Sequence, residues 1–255
     1  MKNIGSSLCA VLCIGAGLAA TASAVDVNLV TANSGSANGA NFVWVDAQPT
    51  GSGVIDPFVR VSAADQDVVQ GYNSSARPLA YDENTSPTFT KDIQLSSVPI
   101  VNGFYEFLLD INQTNADPIL SLFEIQIYTR ASALATNPNG GNDPTTINFG
   151  GALGTLRYDL DSGINGDSKV QLDYSRNAGS GSGDMLMYVP VGLFGPESDF
   201  VYLYSAFGLP DNNNDGFEEW ALRERVGSVI PLPTAGAMGL AGLCGLGAVR
   251  RRRAN

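Results

Sequence analysis

The chain contains no histidine. That absence removes the Ser-His-Asp and Cys-His arrangements of nucleophilic catalysis, histidine general bases, and the usual zinc and copper sites. Cysteine is nearly as scarce. Cys9 and Cys13 fall in an apolar run near the N-terminus and Cys244 in another near the C-terminus, so the stretch between has none. No disulfide staples that stretch, and a chain of about 200 residues must be stabilised by a buried core instead. Basic residues are few there as well. All 25 acidic residues lie between Asp26 and Glu224, and residues 25–228 hold nine lysines and arginines, for a net formal charge of −16 over that body. Such a surface repels nucleic acid and anionic lipid and attracts cations, and it also keeps an exported protein soluble. No part of the body sustains an apolar period of 3.6, which argues against a helical domain.

What is present begins at the two ends. Lys2 precedes an apolar run from Ile4 to Ala20, followed by Ala22-Ser23-Ala24. A basic start, a short apolar stretch and a small-x-small site make a secretory signal peptide over residues 1–24, with cleavage after Ala24 and with Ala22 and Ala24 as its small positions. Neither Cys9 nor Cys13 follows the small residue that a lipoprotein signal needs. At the other end, residues 229–255 hold Ile230-Pro231-Leu232-Pro233-Thr234, an apolar, glycine-rich run over 235–249, and Arg250, Arg251, Arg252 and Arg253. The run predicts a short transmembrane helix, below the ~20 residues of a comfortable span. The arginines would stay on the cytoplasmic side and the body outside, in agreement with the signal peptide.

The body, residues 25–228, reads as short strands separated by turns. Tyr105, Phe107, Leu109 and Ile111 alternate with Glu106, Leu108, Asp110 and Asn112; Phe123, Ile125 and Ile127 alternate with Glu124, Gln126 and Tyr128. Leu156, Tyr158 and Leu160, then Val170, Leu172 and Tyr174, repeat the period of two, which turns one face inward and one to water. Further strands are expected at Asn41–Val45, Val54–Val61, Ile93–Ile100, Met185–Val189 and Phe200–Phe207. Asn, Gly, Asp and Pro clusters at 137–144, 165–167 and 179–183 supply the turns. Residues 31–40 read as a flexible lead-in. The fold class is all-β, an antiparallel sandwich of jelly-roll type.

One loop has the look of a cation site. In Asp211-Asn212-Asn213-Asn214-Asp215-Gly216-Phe217-Glu218-Glu219, oxygen ligands at alternate positions precede a glycine, as in a calcium loop. Asp211, Asn213 and Asp215 fit the first ligand positions, Phe217 would offer its carbonyl, and Glu219 would act directly or through water. The twelfth position, where a bidentate glutamate is wanted, is Leu222. The competing reading is a polar turn leading into a strand that buries Trp220. Asp159, Asp161, Asn165 and Asp167 form a second acidic group without ligand spacing, read as a solvated hairpin end. Tyr202 and Tyr204 share a strand face that would stack sugars if exposed and would be core or cross-strand partners otherwise. A carboxylate pair for glycoside hydrolysis cannot be picked from 25 candidates.

The three-part tail resembles the PEP-CTERM class of sorting signals, in a variant with a Pro-Leu-Pro core. Leu232 departs from the strict Pro-Glu-Pro form, which leaves the subtype of processing enzyme open. The resemblance implies export in a Gram-negative bacterium that makes extracellular polysaccharide. It also implies transient insertion of the tail in the inner membrane, and cleavage by an exosortase-type membrane peptidase. The body is similar, through Tyr202-Leu203-Tyr204, Gly181–Met185 and Asp215–Trp220, to β-rich proteins bearing such tails, which brings no activity with it. The expectation is therefore a cell-surface or matrix-associated structural protein and not an enzyme. A carbohydrate-binding module that contacts extracellular polysaccharide is the alternative, and a glycosidase a distant third.

Overall fold

The computed structural model describes residues 24–45, 55–62, 66–161, 167–178 and 183–223. Ala24 is the first described residue. Ala22 and the rest of the segment expected to be a signal peptide, and the tail expected to be a sorting signal, including Pro231–Thr234 and Arg250–Arg253, lie outside the described residues. Among the described residues no helix is long and apolar enough to cross a membrane.

The strands are β1 (Asp26–Asn28), β2 (Ser34–Ala37), β3 (Ala40–Trp44), β4 (Ile55–Val61), β5 (Val69–Tyr72), β6 (Ile93–Gln94), β7 (Ile100–Val101), β8 (Phe104–Asp110), β9 (Ile119–Arg130), β10 (Thr155–Asp159), β11 (Lys169–Asp173), β12 (Met185–Pro190), β13 (Phe200–Phe207) and β14 (Glu218–Arg223). They form two sheets. One runs β1-β11-β9-β13-β5, with β10 also on β9 and β6 also on β13; the other runs β2-β3-β12-β8-β14-β4, with β7 on β8. The domain is all-β, as the alternation predicts. The pairing is antiparallel except for β1, which lies parallel to β11, so the sandwich is mixed at that edge.

The inner faces make one continuous core. Tyr105, Phe107, Leu109 and Ile111 of the second sheet meet Ile125, Ile127, Val201 and Leu203 of the first. Trp220 is fully buried in this core, and its indole N–H donates to Ser205 Oγ at 3.0 Å. Burying an indole is favourable only when its polar hydrogen finds an acceptor, and Ser205 supplies one from the facing sheet. Pro57 sits in β4, the edge strand, opposite the register shift between Trp220 and Ala221. A residue without an N–H is tolerated at such an edge or bulge and not in a central strand.

Three sequence expectations are corrected. Residues 31–40 are not a flexible lead-in: β2 and β3 are a hairpin pairing Ser34 with Val43 and Ala37 with Ala40. Its turn is Asn38-Gly39, with φ of 48° and 86°, the two positive values that a tight hairpin of right-handed strands requires. Ile93–Ile100 is not one strand but two short ones split by a 3-10 turn at Leu95–Ser97, which carries the chain from the first sheet to the second. Leu156 is not inward: a register shift between Leu156 and Tyr158 leaves it 45 % exposed, while Tyr158 and Leu160 stay in the core.

Candidate functional site

Three polar assemblies lie outside the core. The first covers the outer face of the β5-bearing sheet. Tyr72 on β5, Tyr128 on β9, and Tyr202 and Tyr204 on β13 all point away from the sandwich interior, yet all are buried. The segments 73–92 and 131–154 fold over them. Phe149 from the second segment sits at the centre, with ring centroids 5.4 Å from Tyr204, 5.6 Å from Tyr72, 5.9 Å from Tyr128 and 6.4 Å from Tyr81, each edge-on. The phenol oxygens are used inside the assembly. Tyr204 donates to Gln70 Oε1 at 2.6 Å, Tyr72 donates to the Pro138 carbonyl at 2.9 Å, and Tyr202 accepts from Leu134 N at 2.9 Å. Burial pushes the Tyr72, Tyr128 and Tyr204 phenols well above their usual range. Tyr202 and Tyr204 are therefore no open sugar-stacking platform. The period of two correctly put them on one face, but the cover comes from distant loops.

Carboxylates flank this cap. Glu83 is buried and accepts from Tyr72 N at 3.0 Å and Tyr81 N at 2.8 Å. Glu124, expected on a wet strand face, is buried. Burial, with Asp161 and Asp159 nearby, pushes its carboxyl up to about 8. Asp161 is pushed up to about 6, first by burial, although it accepts from Ser168 N at 2.5 Å. Asp159 and Asp161 thus belong to a half-buried acidic group with Glu124 and not to a solvated hairpin end. Asn165 lies outside the described residues. The signal that could have found Glu124 is its position between Phe123 and Ile125 in a strand apolar along most of its length.

The second assembly is a cross-strand row on the outer face of the other sheet. Asp110 pairs with Glu219, and Glu219 with Arg60. The Arg60 guanidinium is ion-paired to Glu219 and lies between two rings, 3.4 Å from the centroid of Phe89 and 3.9 Å from that of Phe217. On the other side of Asp110, the Asp184 carboxylate accepts from Ile111 N at 2.8 Å. Glu218, fully buried, accepts from Asn112 N at 3.1 Å and Gln113 Nε2 at 2.8 Å. Burial raises both Asp184 and Glu218 well above the usual carboxylate range. Together they tie down the backbone where β8 ends.

The third is the loop predicted as a calcium site. Asp211 Oδ2 accepts from Ser121 Oγ at 2.6 Å and Gln171 Nε2 at 2.8 Å, on the sheet of β9 and β11. Asn213 accepts from Gln113 Nε2 at 3.1 Å and donates to the Gln66 carbonyl at 3.2 Å. Asp215 is exposed and accepts from Gly216 N at 2.7 Å. Phe217 is stacked on Arg60, and Glu219 is paired with it on the opposite sheet. Three of the five positions, Asp211, Asn213 and Glu219, thus have side-chain partners on other elements. Among the described residues no group of three or more Asp, Glu, His or Cys is placed to hold a metal ion.

No family model, curated protein or solved structure matches the chain.

Proposed function

We propose that the protein is an exported, non-catalytic structural component of the cell surface or extracellular matrix, released from a membrane-inserted precursor by an exosortase-type peptidase that cuts near Pro231-Leu232-Pro233-Thr234. The tail sequence carries the export half of this reading. The structural half rests on the closed cap: loops 73–92 and 131–154 spend their apolar side chains and many polar ones on the body's own sheet, which makes a self-sufficient block suited to a scaffold. The division of the longer strands into β4-β14-β8-β12 and β5-β13-β9-β11 is that of a jelly roll, and we read the body as one. Jelly rolls include lectins, which keeps a glycan-binding module as the second reading, with an extracellular polysaccharide as its partner. A glycan array separates the two: saturable binding by the purified body would favour the module.

Processing is tested in the native host. Replacing Pro231-Leu232-Pro233 is expected to leave full-length protein in the membrane, and neutralising Arg250–Arg253 to release uncleaved protein. Proline at the outer interface keeps the chain extended for a peptidase, and the arginines stop translocation. Mature protein that still carries residues beyond Thr234 would mean the tail is a permanent anchor.

For the 211–219 loop we propose a tie between the sheets in place of the calcium role its sequence suggests, because Asp211 and Glu219 already have donors. Asp211→Ala should cost about 1–3 kcal/mol with or without calcium, since it strands Ser121 and Gln171. Calcium should leave the melting temperatures of wild type and Asp215→Asn equal. A rise in wild type that Asp215→Asn abolishes would restore the calcium reading, because a ligand bound only by the folded state stabilises it.

A further inference from the structure

The described residues expose five large apolar side chains: Ile100, Leu156, Val191, Leu193 and Leu209. Ile100, Val191 and Leu193 come to the same end of the sheet, around the start of β8. Ile100 on β7 pairs with Tyr105 at the start of β8. Pro190 at the end of β12 pairs with Phe104, and Val191 N donates to the Gly103 carbonyl at 3.1 Å. Phe194 follows and meets Tyr105 edge-on with centroids 4.8 Å apart. Leu156 lies towards the same end of the sandwich: the side chain of its neighbour Arg157 reaches Gly195, just past Leu193. Leu209 follows the far end of β13, at the opposite pole.

The chain leaves the body at this same pole. β14 runs antiparallel to β8, and its last residue, Arg223, ion-pairs with Glu106 at 2.5 Å. Glu106 N in turn donates to the Pro99 carbonyl at 2.9 Å, next to Ile100. Between Arg223 and the apolar run that starts at Ala235 lie eleven residues. Fully extended, they reach about 40 Å at most, so a bilayer-inserted tail keeps this pole close to the membrane. At the exit the buried Glu106 is paired with Arg223, while the exposed Glu197 lies four residues past Leu193.

We propose that the pole carrying Ile100, Val191 and Leu193 rests on the outer interface of the bilayer while the tail is inserted, and so orients the precursor for cleavage. This rests on the reading of the tail as a membrane-inserted sorting signal. Exposed apolar groups gathered at one site mark a contact surface, and side chains of this size bury in the headgroup and acyl boundary without spanning it.

The test uses the full chain reconstituted in phosphatidylcholine vesicles, with and without bromine high on the acyl chains. Leu193→Trp and Leu209→Trp are compared with the parent, whose Trp44 and Trp220 emission is subtracted. The added emission of Leu193→Trp should be largely lost in brominated vesicles, and that of Leu209→Trp retained. Flotation of the protein with the vesicles but equal emission from both variants would overturn the docking pole and leave the tail reading intact. Failure to float would overturn both. Emission from Leu193→Trp that is blue-shifted, unquenched by bromine and lost on dilution would mean that a second copy covers the patch, which also overturns the bilayer contact.

Discussion

Phe149→Ala is expected to lower the stability of the body by about 3–5 kcal/mol, the range for truncating a buried phenylalanine. The physical reason is its position. The ring is 5 % exposed and meets Tyr72, Tyr81, Tyr128 and Tyr204 edge-on. Edge-to-face pairs add about 0.5–1.5 kcal/mol each beyond the area they bury, and one substitution removes them all. Phe149→Leu keeps most of the volume and loses only the ring geometry, so it should cost less. The loss should also be local at first: amides of 131–154 should exchange faster than those of the central strands β8 and β9. Urea unfolding with hydrogen exchange by segment measures both. A cost below about 0.5 kcal/mol, the scale of an ordinary surface change, would show that the cap is not held by this ring.

The second large effect is on pH dependence and concerns Glu124. Its carboxyl is raised from 4.5 to about 8, mainly by burial, with Asp161 and Asp159 adding repulsion. The folded state therefore holds a proton that the unfolded chain releases near the ordinary value. Stability falls as pH rises whenever the native state binds more protons than the unfolded one. The contribution is flat below 4.5, declines between 4.5 and about 8, and is fully unfavourable above. Asp161, raised to about 6, acts in the same direction over the lower part of that window. The body should thus be more stable at pH 5 than at pH 8. Glu124→Gln, which removes the charge and keeps the amide-sized group beside Gln126, should raise stability at pH 8 by on the order of 3 kcal/mol and change little at pH 5. Denaturation midpoints of both proteins across pH 4.5–9 test this. Parallel profiles for wild type and variant would show that Glu124 is not the group that titrates.

Several features were legible without coordinates because they depend on local order alone. Strand period is a property of neighbours, so the inward sets Tyr105, Phe107, Leu109, Ile111 and Val170, Leu172 could be read directly, and the all-β class with them. The missing histidines and the cysteine-free body needed only inspection.

What the sequence could not decide is what meets the second face of each sheet. Alternation places Tyr202 and Tyr204 on one side of β13, but whether that side is wet depends on Leu134, 68 residues away, which donates its amide to Tyr202. Glu124 reads as a solvent-facing residue until segments from elsewhere in the chain enclose it. In the oxygen-rich stretch from Asp211 to Glu219, the partners of Asp211 and Glu219 are Ser121, Gln171 and Arg60, none of them nearby in sequence. Bulges add a second source of error, since one register shift reversed the facing of Leu156. Periodicity encodes which residues share a face. Burial and hydrogen-bond pairing are set by long-range packing, and only the folded chain brings those partners within reach.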